Sequence, residues 1–315
     1  MEYDVPITID EQIKMMKKYV VFEKSKKMKN FLDYVGYFRA SRYAKFLLSY
    51  SNKFEGKPSH NILYQLYMFD FELRKILFEY CVKAEVQFKA VLANAVSLKT
   101  GDAGFYLDEN NYTKSRGERD KRNKFKNIET FNKFIRVIRD KEKELRKNNH
   151  KYPELKEYRK GGERENSNIP CWAAFCYFEL GSIENIYKFL RSDLRKEVLR
   201  YAYTRKKYGK NITKQVDTWI NGIRTLRNIC AHSSRVVGMK EAIVLRDTED
   251  ERDILQNGED LFSRLYALRK ILNKKDGEEL KQKIRKLMKN TKLDVYGLNI
   301  LPKEWEIYYD RIKDL

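Results

Sequence analysis

From Asp70 to Leu98 the apolar positions Leu73, Leu77, Cys81, Ala84, Phe88, Val91, Ala95 and Leu98 step by three or four residues. That spacing places them on one face of a helix, so a long core helix is predicted over 70–99, with Gly101 as its stop. The same period recurs along the chain. Residues 8–19 open with Thr8 and the acidic pair Asp10–Glu11, which suits a capped first turn. Residues 30–50 carry aromatics at helical spacing, and 128–147 again reads as helix. After Pro170 the pattern predicts a buried helix, a break at Gly181-Ser182 and a second helix. Further helices are predicted over 212–237, ending at Gly238, over 257–273 and over 277–289. Asp276 and Glu279 have capping-box spacing at the start of the last of these.

Between these segments, 107–127 reads as a polar loop. The stretch 147–170, the longest polar run with Gly and Pro, reads as a flexible excursion. No internal repeat or low-complexity linker interrupts the chain. Five prolines and 14 glycines are too few for the turns of an all-β architecture. The predicted fold class is therefore all-α.

Composition narrows the class. A hydrophobic content of 42% is that of a folded protein. No apolar run is long enough for a membrane span, and the acidic, polar N-terminus does not read as a signal peptide. The four cysteines stand singly in apolar surroundings. They are expected as free core thiols in a reducing, cytoplasmic setting rather than as disulfides or a zinc set. Neither P-loop, dinucleotide fingerprint, nucleophile elbow nor zincin motif occurs, and three dispersed histidines make a His-rich metal site a poor reading. No cofactor is expected.

The formal net charge is +21, a field that attracts polyanions such as RNA. A Lys-rich composition set by the genome would give the same charge. The basic residues form blocks at 114–126, 195–214 and 269–292, while 246–260 is net acidic. The blocks either converge on one groove or coat separate solvated faces. Lys121, Arg122, Lys124, Arg205, Lys206, Lys207 and Lys210 are the candidate RNA contacts.

The segment TLRNICAHSSRVVG, 225–238, carries the candidate chemistry. On a helical wheel Val216, Trp219, Ile223, Leu226 and Cys230 form a core face. Asp217, Asn221, Arg224, Asn228, His232 and Arg235 form one polar stripe. Arg227 falls at the border of the apolar face, about 140° from His232. An arginine there lays its stem on hydrocarbon and needs partners for five donors. Glu85, in the long core helix, is the first candidate to fix it; Glu85 with Lys89 at i+4 is equally a plain helix ion pair. His232 in turn fits an ordinary half-exposed histidine as well as a proton carrier. His60 reads as a helix-start residue and His150 as a solvated one.

LRNICAH resembles the R-N-x-x-x-H motif of the HEPN ribonuclease superfamily. Longer stretches resemble one branch of it, the abortive-infection proteins of the AbiD/AbiF type. VPITIDEQIKMMKKYVV is similar to their opening segment and LDYVGYFRASRYAKFL to their tyrosine-rich second helix. Asp70, Leu73, Arg74, Glu85 and Lys89 carry a D-x-x-L-R … E-x-x-x-[RK] pattern, and the tail GLNILPKEW also fits. The chain departs from the pattern after the motif histidine, reading HSSRVVG, and has Lys89 where an arginine is common.

The resemblance implies a single HEPN-type helical bundle with additional N- and C-terminal helices: N-terminal helices over 1–60, a core over 61–275 with a polar insertion at 147–170, and a basic extension over 276–315. It implies a metal-independent endoribonuclease of anti-phage defence, acting as a homodimer. Arg227, His232 and Asn228 would be catalytic and Glu85, Arg224 and Arg235 supporting. A non-catalytic binder of a structured RNA is the alternative, and a protein-interaction effector is a third.

Overall fold

The computed structural model describes residues 5–50, 52, 54, 56–113, 124–148, 150–202, 209, 211–248, 251 and 253–314, with side chains in the helix that begins at 124 described from 129 onward. Among them the fold is all-α. Its helices are α1 (Ile9–Met16), α2 (Ser25–Val35), α3 (Tyr37–Leu48), α4 (His60–Thr100), α5 (Lys124–Lys147), α6 (Cys171–Tyr177), α7 (Leu180–Phe189), α8 (Ser192–Ala202), α9 (Ile212–Ala231), α10 (Leu261–Ile271), α11 (Lys274–Lys289) and α12 (Trp305–Asp310). No helix is long and apolar enough to cross a membrane among the described residues.

The 41-residue α4 is the axis of the molecule. It packs against α9, α8, α6, α11 and α10, while α9 is held between α4, α7 and α10. The predicted stripe explains this: Leu73, Leu77, Cys81, Ala84, Phe88 and Ala95 are buried, and Gly101 stops the helix at φ 70°. Val91 is partly buried, and Leu98 is the exception at 73% exposed. The helix also begins ten residues earlier than predicted, capped by Ser59, with His60 as its first residue.

Three other expectations change. The aromatic segment 30–50 is two helices, α2 and α3, divided at Gly36 with φ 82°. The break after Pro170 falls at Phe178–Glu179, so Gly181 lies inside the first turn of α7. The first turn of α11 is capped by Asn273, whose side chain accepts from the Asp276 N–H; Asp276 and Glu279 instead bind Lys83 of α4, at 2.7 and 3.3 Å.

The stretch 147–170 is not a loose excursion. Tyr152, Leu155, Tyr158 and Ile169 are buried. Arg146, paired with Glu142, donates to the carbonyls of Tyr158, Glu165 and Ser167 and so binds the loop to α5. A guanidinium with five donors satisfies three backbone acceptors that no regular structure serves.

The basic block 269–292 is partly internal. Lys270 is sealed from solvent, 2.7 Å from Glu251, and donates to the Lys313 carbonyl. Arg269 pairs with Asp314 and Lys281 with Asp310. These cations fasten the C-terminal segment to α10 and α11, so they are unavailable to a polyanion. Cys81, Cys171 and Cys230 are buried free thiols, whereas Cys176 is exposed.

Candidate functional site

The core face of α9 is as predicted: Val216, Trp219, Ile223, Leu226 and Cys230 are all buried. The helix itself is shorter than its sequence pattern and ends at Ala231. His232 is the C-cap, its N–H bonded to the Asn228 carbonyl at 2.9 Å. Ser233 then takes a left-handed conformation, φ 54°. Its N–H reaches the Cys230 carbonyl at 3.2 Å, and the Ser234 N–H reaches the Ile229 carbonyl at 3.0 Å. That pair of bonds is a Schellman closure, here made without glycine.

The turn sends 234–238 back across α4 and α3. Asp70, fully buried in α4, receives this segment: its Oδ1 accepts the N–H groups of Val236 and Val237 at 2.9 and 2.7 Å. Its Oδ2 accepts from the Tyr43 hydroxyl at 2.6 Å and from Arg74 Nε at 2.9 Å. Burial pushes the Asp70 carboxyl above the ordinary carboxylate value, against the pull of these four donors. Burial and the neighbouring Asp70 push the Tyr43 hydroxyl up as well, which keeps it a proton donor to the carboxylate. Gly238 closes the segment at φ 64°; a Cβ there would meet the Phe46 ring at 2.2 Å.

Because the helix stops at 231, Arg235 does not share the stripe assigned to it. Its guanidinium lies 4.6 Å from the Phe46 ring centre, and burial lowers its pKa. The rest of the stripe divides in two. Asp217 is bound by Arg195 of α8 at 2.7 Å. Asn221 donates to one oxygen of Glu184 and Arg224 to the other, both at 2.7 Å. Glu184 is a buried carboxylate of α7, so Arg224 is committed to joining α7 and α9.

At the far end the side chains are held more loosely. His232 is exposed, and its ring makes no hydrogen bond to the described residues. Arg227 remains 40% exposed, with Nε 3.9 Å from Glu85 Oε2, too far for a hydrogen bond. Glu85 is held more tightly by Lys89, at 2.7 Å. Arg227 Nη1 donates to Asn228 Oδ1 at 3.3 Å, and its guanidinium stands 5.9 Å from the Phe78 ring. The Asn228 side chain thus accepts from Arg227, while its carbonyl accepts the backbone N–H of His232 one turn on. Cys230, beside them, is pushed up to about 12 by burial, so it supplies no thiolate.

Lys121, Arg122, Arg205, Lys206, Lys207 and Lys210 lie outside the described residues, as does the side chain of Lys124 at the start of α5. Sequence reasoning missed Glu184 and the latch role of Asp70. The signal for Asp70 was present: one carboxylate inside the apolar run LYMFDF, where an unpaired charge is too costly to keep.

No curated protein and no solved structure matches the chain. The model of the Abi-like protein family matches residues 30–237, from the middle of α2 to Val237, whose N–H is held by Asp70. That match spans well over half of the sequence, and the chain belongs to the Abi-like family.

Proposed function

We propose that this protein is a metal-independent endoribonuclease of the HEPN superfamily, of AbiD/AbiF type, that acts in abortive infection against phage. The observation that carries the reading is the open end of α9. There an exposed imidazole stands one turn beyond a loosely held guanidinium, which donates to Asn228, in a chain of net charge +21.

The chemistry those groups suit is transesterification of RNA. The 2′-oxygen attacks the adjacent phosphorus, the bond to the 5′-oxygen breaks, and the products are a 2′,3′-cyclic phosphate and a 5′-hydroxyl. A histidine changes charge near neutral pH, so His232 suits removal of the 2′-hydroxyl proton. The same residue of a second copy would return a proton to the leaving 5′-oxygen. Arg227 keeps its charge, and its planar fork suits the negatively charged non-bridging oxygens of a phosphorane. Asn228 orients the arginine. The step consumes no water and needs no metal, and a homodimer facing its two α9 ends across one cleft would supply both proton carriers.

The test is cleavage of mixed single-stranded RNA by the full chain in EDTA, beside His232→Ala. Cyclic phosphate ends, and a rate reduced by a factor on the order of 10²–10⁴ in the variant, are expected. The His232 ring is exposed and unbonded, so the variant should melt with the parent. Cleavage abolished by EDTA, or retained by the variant, would overturn the proposal.

A further inference from the structure

Outside α9, exposed aromatic side chains gather where α2 meets the first turns of α4. Tyr34 is 76% exposed and Tyr64 49%, in a protein whose Tyr43, Tyr80, Tyr106, Tyr187, Tyr266 and Tyr309 are core residues. Between the two helices lies a cavity of about 520 Å³, lined by Lys27, Asn30, Tyr34, Asn61 and Tyr64 and floored by Phe31. It adjoins a second cavity of about 270 Å³ that reaches Glu23 and Lys24 and shares Lys27, His60 and Asn61. The frame is firm. The Val21 N–H donates to the Pro58 carbonyl and the His60 N–H to the Val21 carbonyl, at 2.9 and 2.8 Å. Phe31 meets His60 and Tyr64 edge-on at 5.8 and 6.1 Å.

Both helices line it with solvent-exposed side chains. Each helix contributes one amide and one tyrosine at helical spacing, Asn30 with Tyr34 and Asn61 with Tyr64. None of these four has a side-chain hydrogen bond to the described residues. The start of α2 also breaks a local rule. Lys24 stands at its N-cap with no capping bond, and the first turn holds Lys26 and Lys27 with no acid. Cations there oppose the helix dipole. A bound anion beside Lys24 and Lys27 would remove that penalty, and local rules are broken chiefly where a site requires it.

The pocket is also in line with α9. Tyr64, Phe71 and Phe78 recur every seven residues along α4, on one face. Lys75, paired with Glu72 at 2.8 Å, lies 5.6 Å from the Phe71 ring, and Arg227 5.9 Å from the Phe78 ring. Tyr64 and Phe78 are about 21 Å apart along the helix axis. Aromatic platforms interleaved with cations suit unpaired RNA, whose bases stack and whose phosphates need positive charge.

Building on the ribonuclease reading, we infer that the α2/α4 pocket takes one unpaired ribonucleotide of an RNA strand that runs along α4 to Arg227. The base rests against Tyr34 and Tyr64, its edge meets Asn30 and Asn61, and the phosphate sits on Lys24 and Lys27.

The test uses the full chain carrying His232→Ala, so that a strand is bound uncut, and a short single-stranded RNA containing 5-iodouridine. The expected results are a photo-cross-link to Tyr34 or Tyr64 and poor competition by duplex RNA. Binding should weaken about 10- to 100-fold in the double variant Tyr34→Ala, Tyr64→Ala. Lys24→Glu with Lys27→Glu should weaken it too, which keeps the test available if the aromatic variant fails to fold. RNA bound equally by both double variants, or cross-linked only elsewhere, overturns the pocket and leaves the ribonuclease reading standing. No RNA binding by the parent overturns both. AMP that fills the pocket without displacing the strand assigns it to a free nucleotide and overturns the strand.

Discussion

Arg224 and Arg227 sit three residues apart on one helix and have opposite fates. Arg224 meets the buried Glu184 of α7 at 2.7 Å, in a bond that also fixes Asn221. Arg227 faces α4, where Glu85 is held by Lys89 at 2.7 Å, and stands 3.9 Å from it, beyond hydrogen-bond reach. The half of α9 that carries Asp217, Asn221 and Arg224 is therefore closed by carboxylates and cations of its neighbours. The half that ends in Asn228 and His232 is open. A cation is available to a ligand only where the packed helices offer it no committed carboxylate, and net charge does not report that difference. Lys270, sealed against Glu251, is the closed case carried to its limit.

The strongest way to break the open half is to release what aims it. Asp70 holds the segment after His232 by two backbone N–H groups while bound to Tyr43 and Arg74. Asp70→Ala leaves those donors buried and unmet, and should cost about 3–5 kcal/mol of unfolding free energy in urea titration. Cleavage should fall as well, since the turn bearing His232 loses its anchor. A cost below about 1 kcal/mol would mean that packing alone holds the turn.

Glu184→Gln sharpens the same contrast from the closed side. It keeps the shape of the side chain and removes the charge that Arg224 and Asn221 share. A stability loss of about 2 kcal/mol is expected, with RNA cleavage unchanged. Should cleavage drop as far as it does in His232→Ala, the closed half belongs to the working site and the division fails.

The apolar half of this architecture could be read from sequence, and the polar half largely could not. The stripe from Leu73 to Ala95 and the face from Val216 to Cys230 follow a period that any helix must obey. The capping of α1 by Thr8 and Glu11 is equally local, with both hydrogen bonds of the box present. What failed needed partners distant in sequence. Glu184 is 40 residues from Arg224, and nothing in either neighbourhood announces the pair. The extent of α9 failed for a local reason: the polar pattern continues through Arg235, but Ser233 turns left-handed and takes Arg235 to Phe46. The loop at 147–170 was misread because polarity was taken for mobility, whereas Arg146 binds its carbonyls.

The pH dependence of stability probes the closed extreme. Burial alone would raise the Glu251 carboxyl, but Lys270, Tyr266 and Thr248 outweigh it and hold it below the ordinary glutamate value. A depressed folded-state value means the contribution is complete above the unfolded glutamate range, about 4.3, and is lost as pH falls through the lower folded value. Thermal midpoints should therefore drop on acidification below about pH 4, and Glu251→Gln should flatten that part of the curve. An unchanged slope in the variant would show that other carboxylates govern acid unfolding.

The smallest effect is the most informative about the open end. Ser233 occupies the left-handed position of the α9 closure, where a side chain crowds the backbone and glycine does not. Ser233→Gly relieves that crowding but also frees the unfolded chain, so the net gain should be only about 0.5–1 kcal/mol, read as a small rise in thermal midpoint. The consequence for cleavage separates two roles for the serine. If it is merely tolerated, the variant is more stable and equally active, because the two closing hydrogen bonds use backbone atoms that glycine retains. If the rigidity of a non-glycine turn is what fixes His232 against Arg227, the variant gains stability and loses rate, with KM unchanged and kcat reduced. Strain kept beside an exposed histidine has a physical rationale only in the second case. A destabilised variant would contradict both, since it would require the Ser233 side chain itself to hold the turn.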